Sequence, residues 1–87
     1  MSKRLYVGNL SFDTTADTLR HSFAEAGAVV SVEVITDRDT GRSRGFGFVE
    51  MSSTEGAKSA IDRLNGTSVD GRALRVSEAE ARRDRRS

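Results

Sequence analysis

The sequence contains no cysteine, no proline and no tryptophan, and it has one histidine and one tyrosine among 87 residues. The lack of cysteine excludes a disulfide framework and a thiolate-bound metal. Because a single histidine remains as a nitrogen ligand, we expect neither a zinc site nor any other metal or cofactor. The lack of proline is typical of compact regular structure and argues against a long linker.

Long hydrophobic runs and an excess of charge are also missing. No apolar run approaches the roughly 18 residues of a membrane-spanning helix, and no signal-peptide core follows Met1. We therefore expect no membrane association and no secretion. The chain has 14 Lys+Arg against 13 Asp+Glu, a formal charge of +1, so bulk charge alone does not predict nucleic-acid binding. The length fits one small domain, which we expect to be a monomer.

Hydrophobic periodicity divides most of the chain into short strands and helices. The predicted strands cover residues 3–10, 29–36, 44–51 and 72–77, and the predicted helices cover residues 17–26 and 54–65. The order β-α-β-β-α-β predicts an α+β, ferredoxin-like sandwich. In this fold a four-stranded antiparallel sheet carries both helices on one face.

The last ten residues differ in composition from the rest of the chain. Residues 78–87 are rich in arginine and contain no large apolar residue. We predict one domain over residues 1–77 and a disordered, arginine-rich tail over residues 78–87. Basic and acidic residues are equal in number up to Ser77, so the tail carries the whole formal excess of charge.

The first predicted strand indicates which of its side chains face solvent. Leu5 and Val7 are its obvious core pair, and alternation then turns Tyr6 outward beside Arg4. The third strand allows two orientations by itself. If Phe46 and Phe48 pointed inward, as phenylalanine usually does, Arg44 would face the core as well.

The opposite orientation of the third strand buries Val49 and Met51 and agrees with the first strand. If the two strands are neighbours, Tyr6, Phe46 and Phe48 form one group of exposed rings, which we call the aromatic platform. A small protein gains little from exposed rings unless they bind something. The arginines that share this face by strand parity are Arg4, Arg44 and Arg75. Rings interleaved with arginine suit single-stranded nucleic acid, because bases stack on rings and guanidinium groups pair with phosphates.

The two remaining phenylalanines are predicted to belong to the core. Phe23 lies four residues after Leu19 on the apolar stripe of the first helix, and Phe12 precedes that helix. His21 neighbours the stripe with no catalytic partner in view, so we predict that it lies at the surface.

Two segments resemble the sequence motifs of the RNA recognition motif (RRM) family. Residues 44–51, RGFGFVEM, match the longer motif K/R-G-F/Y-G/A-F-V-x-F/Y at every specified position except the last. There Met51 replaces the usual aromatic residue at a position predicted to be in the core. Residues 5–10, LYVGNL, resemble the shorter motif. The chain is most similar to small bacterial RRM proteins and to the RRM of glycine-rich, cold-responsive RNA-binding proteins.

The resemblance implies a role for each of these side chains. Tyr6 and Phe48 would each stack a base, and Phe46 would pack against sugars. Arg44 would pair with a phosphate. Main-chain groups around the start of the tail would contact bases, and these belong to Ser77, Glu78 and Ala79.

The function that follows is binding of single-stranded RNA, with single-stranded DNA as a weaker ligand. It would serve post-transcriptional control or RNA chaperoning in the cytoplasm, or in the nucleus of a eukaryotic host. We expect no enzyme, since no nucleophile–base pair is recognisable in the sequence. The alternative is a protein-interaction module that binds a peptide through the same fold.

Overall fold

The computed structural model describes residues 3–36, 39–41 and 43–79, and of Ser43 and Arg44 it describes the backbone alone. Within these residues the elements follow in this order: β1 (Arg4–Gly8), α1 (Ala16–Ala24), β2 (Val29–Thr36), β3 (Ser43–Met51), α2 (Thr54–Leu64), β4 (Ser68–Val69), β5 (Arg72–Ala73) and β6 (Arg75–Glu78). Neither helix of this described part is long and apolar enough to cross a membrane.

The main sheet has the strand order β2-β3-β1-β6, and each neighbouring pair is antiparallel. Both helices pack on one face of this sheet, where their apolar side chains meet those of the strands in a single core. The predicted α+β, ferredoxin-like arrangement is therefore confirmed. The other face of the sheet carries no helix in the described part of the chain, so its side chains are open to solvent.

Each helix begins at a hydroxyl side chain that caps a free amide of the first turn. The Thr15 hydroxyl accepts a hydrogen bond from the Thr18 amide at 3.2 Å at the start of α1. At the start of α2, the Ser53 hydroxyl accepts one from the Gly56 amide at 3.0 Å. The residues that the helices bury are spaced three and four apart, which places them on one stripe; they are Leu19, Phe23, Ala57, Ala60 and Leu64.

The last predicted strand is divided in two in the structure. Residues 72–73 pair back with β4 in a small hairpin, and only residues 75–78 join the main sheet. The hairpin turns at Asp70 and Gly71, whose φ angles are 53° and 84°; two successive positive φ angles are the geometry of a two-residue turn. Leu74 lies between β5 and β6 in the chain and is buried.

The prediction that Phe12 belongs to the core is wrong. Its side chain is 59% exposed, whereas Phe23 is fully buried as predicted. The cause is local, because the Thr14 amide donates to the Ser11 carbonyl at 3.1 Å and closes a turn with Phe12 at its tip. His21 lies at the surface, as predicted.

Candidate nucleic-acid interface

The predicted orientation of the central strands β1 and β3 is confirmed. Leu5 and Val7 are fully buried on the helix side of β1, and Val49 and Met51 are fully buried on the same side of β3. Tyr6 remains 37% exposed on the opposite, open face. Met51 therefore fills a core position, which explains why an aromatic residue is not needed there.

Strand register arranges the open face in three rows of side chains. The middle row, read from β2 to β6, consists of Glu33, Phe48, Tyr6 and Ser77. On one side of it lies a row of Phe46, Gly8 and Arg75. On the other side lies a row of Ser31, Glu50 and Arg4. The aromatic platform thus occupies the centre of the sheet and is flanked by charged side chains at its edges.

The three rings of the aromatic platform are in mutual contact. Tyr6 lies with its centroid 6.0 Å from those of both Phe46 and Phe48, and the two phenylalanine centroids are 6.2 Å apart. The Tyr6 and Phe46 rings are inclined by 26°, whereas Phe48 stands at 90° to Phe46. Ring pairs at these separations stabilise one another, so the platform is partly organised before any ligand arrives.

Gly8 determines where the Tyr6 ring lies. A Cβ atom at Gly8 would come within 2.7 Å of the Tyr6 hydroxyl oxygen and within 2.9 Å of ring atom Cζ. The ring therefore lies across the strand over Gly8, in the direction of Phe46, which is opposite Gly8 in the register. Only glycine leaves the space that this ring position requires.

Arg4 lies directly against the aromatic platform. The carbon atom of its guanidinium group is 4.4 Å from the centroid of the Phe48 ring, a cation–π contact. One guanidinium nitrogen is also 3.9 Å from a carboxylate oxygen of Glu33. The sequence placed Arg4 on this face, and the structure places its planar cation over a ring that was expected to receive a base.

Arg75 and Arg44 are the other two arginines predicted for this face. Arg75 is exposed, and it is opposite Gly8 in the register, so it borders the Tyr6 side of the platform. Arg44 belongs to β3 by its backbone, and its side chain lies outside the described residues. Its contact with a phosphate stays a prediction. The predicted disorder of the tail also stays a prediction for residues 80–87, which lie outside the described part.

The segment from Ser77 to Ala79 is part of the sheet rather than the start of a separate tail. Ser77 is opposite Tyr6, and Glu78 is the last residue of β6. The Ala79 amide donates to the Arg4 carbonyl at 2.9 Å, and the Ala79 side chain is buried. That amide is therefore used in strand pairing, and Glu78, opposite Leu5, belongs by parity to the helix side of the sheet.

Two glutamates of the open face were not singled out in the sequence as site residues. Glu33 is opposite Phe48 across β2 and β3, and Glu50 is two residues beyond Phe48 on the same side of β3. Together with Arg4 and Ser31 they line a shallow concavity beside the Phe48 ring. Alternation of Val32 and Val34 with Glu33 was the signal that could have revealed the first of them.

The family model of the RNA recognition motif matches residues 5–75 of the chain. The chain belongs to the RNA recognition motif family. This RRM is 54% identical over 85 residues to the chloroplastic 29 kDa ribonucleoprotein A of Nicotiana sylvestris, a match that covers 98% of this chain and 31% of the relative. The chain therefore spans about a third of the length of that relative.

A second relative and a solved structure give the same family. The RRM is 52% identical over 81 residues to the putative RNA-binding protein RbpA of a Nostoc strain. This match covers 93% of this chain and 79% of the relative. The solved structure of the Rna15 RRM with bound RNA (GU) superposes with a TM-score of 0.83 at 29% identity, covering 91% of this chain and 84% of that one. The predicted resemblance to the RRM family is thus confirmed.

Proposed function

We propose that this chain binds single-stranded RNA on the open face of its sheet, with about two to four unpaired nucleotides across the aromatic platform. The observation that carries the proposal is the position of the three rings. The chain has one Tyr and four Phe, and three of these five residues lie on the open face rather than in the core. Exposed rings in contact with one another provide stacking surfaces for successive bases.

Each part of the open face has a role in this proposal. Tyr6 and Phe48 stack a base each, and Phe46 packs against the sugars between them. Arg75, at the border of the platform, and Arg44 pair with phosphates, because guanidinium groups make bidentate contacts with phosphate oxygens. Single-stranded DNA, which lacks the 2′-hydroxyl, is proposed to be a weaker ligand.

The relatives support a role in RNA metabolism and a compartment of bacterial type. Their names describe chloroplastic ribonucleoproteins and a cyanobacterial RNA-binding protein. We infer post-transcriptional control or RNA chaperoning by a monomer, in a bacterial cytoplasm or an organelle of bacterial origin. The family is a non-enzymatic RNA-binding one, and we infer that this chain likewise binds RNA without acting on it.

Substitution of Phe48 tests the proposal directly. Phe48→Leu removes the ring and keeps an apolar side chain, and it should weaken binding of a fluorescein-labelled single-stranded RNA about tenfold, since a stacked base contributes about 1–3 kcal/mol. Phe48→Tyr keeps the ring and should bind within about twofold of the wild type. Fluorescence polarisation measures both dissociation constants, and thermal unfolding checks that both variants fold.

The outcomes separate the proposal from its alternative. Equal affinity of the Leu and Tyr variants would contradict stacking on Phe48. Failure of the wild type to bind any member of a random single-stranded RNA pool would contradict RNA binding altogether. That second result would instead favour a module that binds a peptide through the same fold.

A further inference from the structure

The surroundings of Phe48 differ on its two sides. On the β1 side the ring meets Tyr6, 6.0 Å away between centroids. On the β2 side of the ring lies the Glu33 carboxylate, opposite Phe48 in the register. The Glu50 carboxylate, two residues further along β3, lines the same concavity. A base stacked on Phe48 therefore has one edge near acceptor-only groups, because an ionised carboxylate donates no hydrogen bond.

The position over the Phe48 ring already holds a planar group with N–H donors. The Arg4 guanidinium is 4.4 Å above the ring, and one of its nitrogens is 3.9 Å from the Glu33 carboxylate. This separation is longer than a hydrogen bond. The two side chains are 47% and 66% exposed, so solvent screens the attraction between them.

Only one of the four bases presents the same chemistry as a guanidinium group along one edge. Guanine has two adjacent donors, N1–H and the N2 amine, which match the two oxygens of a carboxylate. Adenine and cytosine place an acceptor nitrogen beside their amine, and uracil places carbonyl oxygens on both sides of its single N–H. Each of these three bases would turn a lone pair towards the carboxylate. Repulsion between the lone pair and the carboxylate oxygens disfavours binding of these bases at this position.

We propose that the base over Phe48 is guanine, read on its Watson–Crick edge by the Glu33 carboxylate with Glu50 as the second acceptor. This inference rests on the proposed function, because it names the base that the aromatic platform selects at this position. Guanine takes the place of the Arg4 guanidinium over the ring and beside Glu33. The displaced Arg4 side chain then pairs with a neighbouring phosphate.

The test uses the whole chain and short single-stranded RNAs that differ at one nucleotide. In a uridine octamer, one central position is uridine, adenosine, guanosine, inosine or 7-deazaguanosine. Inosine lacks the N2 amine, whereas 7-deazaguanosine keeps the whole Watson–Crick edge. Fluorescence polarisation should show about tenfold tighter binding of the guanosine and 7-deazaguanosine octamers than of the uridine, adenosine and inosine ones.

Variants of Glu33 then assign the preference to that side chain. Glu33→Gln is close in shape and removes the charge, and it should reduce the guanosine preference to about twofold or less. Glu50→Gln should reduce it by a smaller factor. Glu55→Gln, on the exposed surface of α2, is the matched control and should keep the full preference.

The results that overturn this inference differ from those that overturn RNA binding itself. Binding of all the octamers with equal affinity, sensitive to Phe48→Leu, would leave the aromatic platform in place and reject guanine selection. A guanosine preference that survives in both Glu33→Gln and Glu50→Gln would reject the two carboxylates as its source. No binding of any octamer would reject the proposed function and this inference together.

Discussion

Gly8→Ala is expected to weaken RNA binding without weakening the fold. A methyl group at this position would lie 2.7 Å from the Tyr6 hydroxyl oxygen and 2.8 Å from ring atom Cε2, so the ring must withdraw to the 3.4 Å of an ordinary contact or swing away from Gly8. The backbone gives no reason for instability, because Gly8 is not among the residues with positive φ. Alanine is favoured over glycine inside a strand by about 0.5–1 kcal/mol.

The magnitude of the binding effect follows from the Tyr6 stacking contact. A base stacked on an aromatic side chain contributes about 1–3 kcal/mol, and a displaced ring should lose at least about 1 kcal/mol of this, or about fivefold in Kd. Fluorescence polarisation measures Kd, and urea denaturation measures the free energy of unfolding. The variant should therefore bind more weakly while unfolding at the same or a higher urea concentration.

A double-mutant cycle with Tyr6→Ala shows whether the effect passes through the ring. In the Tyr6→Ala background no ring remains to be displaced, so Gly8→Ala should leave Kd unchanged within about twofold. Wild-type affinity in the single Gly8→Ala variant would refute the reasoning. So would an equal loss of affinity in both backgrounds, because the methyl group would then act on RNA by another route.

Three further outcomes are expected from other parts of the chain. Gly47→Ala should destabilise the fold by about 1–3 kcal/mol in urea denaturation, because its Cβ would collide with the backbone carbonyl of Glu33; unchanged stability would mean that β2 and β3 separate easily. Phe12→Ala should change the free energy of unfolding by less than about 0.5 kcal/mol, whereas Phe23→Ala should cost about 3–5 kcal/mol; similar losses would contradict the assigned burial. Removal of residues 82–87 should weaken binding to all RNA sequences alike and flatten its salt dependence, and a sequence-selective loss would instead assign base reading to the tail.

The alternation of side chains was sufficient to predict the open face of the sheet. Leu5 and Val7 could not both be exposed in a chain with so few large apolar residues, and that fixed the side of Tyr6. The same parity turned Phe46 and Phe48 outward, against the usual preference of phenylalanine for the interior. Strand parity is a local property, since successive side chains point to opposite faces whatever the rest of the fold does.

Features that depend on a turn or on a contact across strands were not predictable in this way. Phe12 was expected in the core because of its hydrophobicity, but the Ser11–Thr14 hydrogen bond places it at the tip of a turn. The position of Arg4 over Phe48 depends on side-chain geometry, and no sequence pattern specifies a 4.4 Å contact between two residues 44 positions apart. Alternation along β2 could place Glu33 on the open face, but its position opposite Phe48 depends on the register of β2 and β3.

The near-neutral charge of the folded part is reflected on the open face, where basic and acidic side chains are mixed. Arg4 and Arg75 lie there together with Glu33 and Glu50, so these described side chains produce no strongly positive surface. Affinity should therefore depend more on stacking than on the release of counterions, which predicts a shallow dependence of Kd on salt concentration.

The central claim is that RNA lies on the aromatic platform, and NMR of the aromatic side chains tests it most directly. Titration with a single-stranded RNA should shift the ring proton signals of Tyr6, Phe46 and Phe48 upfield and give intermolecular NOEs between these rings and base or sugar protons. The ring signals of Phe23, in the core, should stay nearly unchanged. Unshifted platform rings, with shifts confined to the exposed surfaces of α1 and α2, would contradict the account.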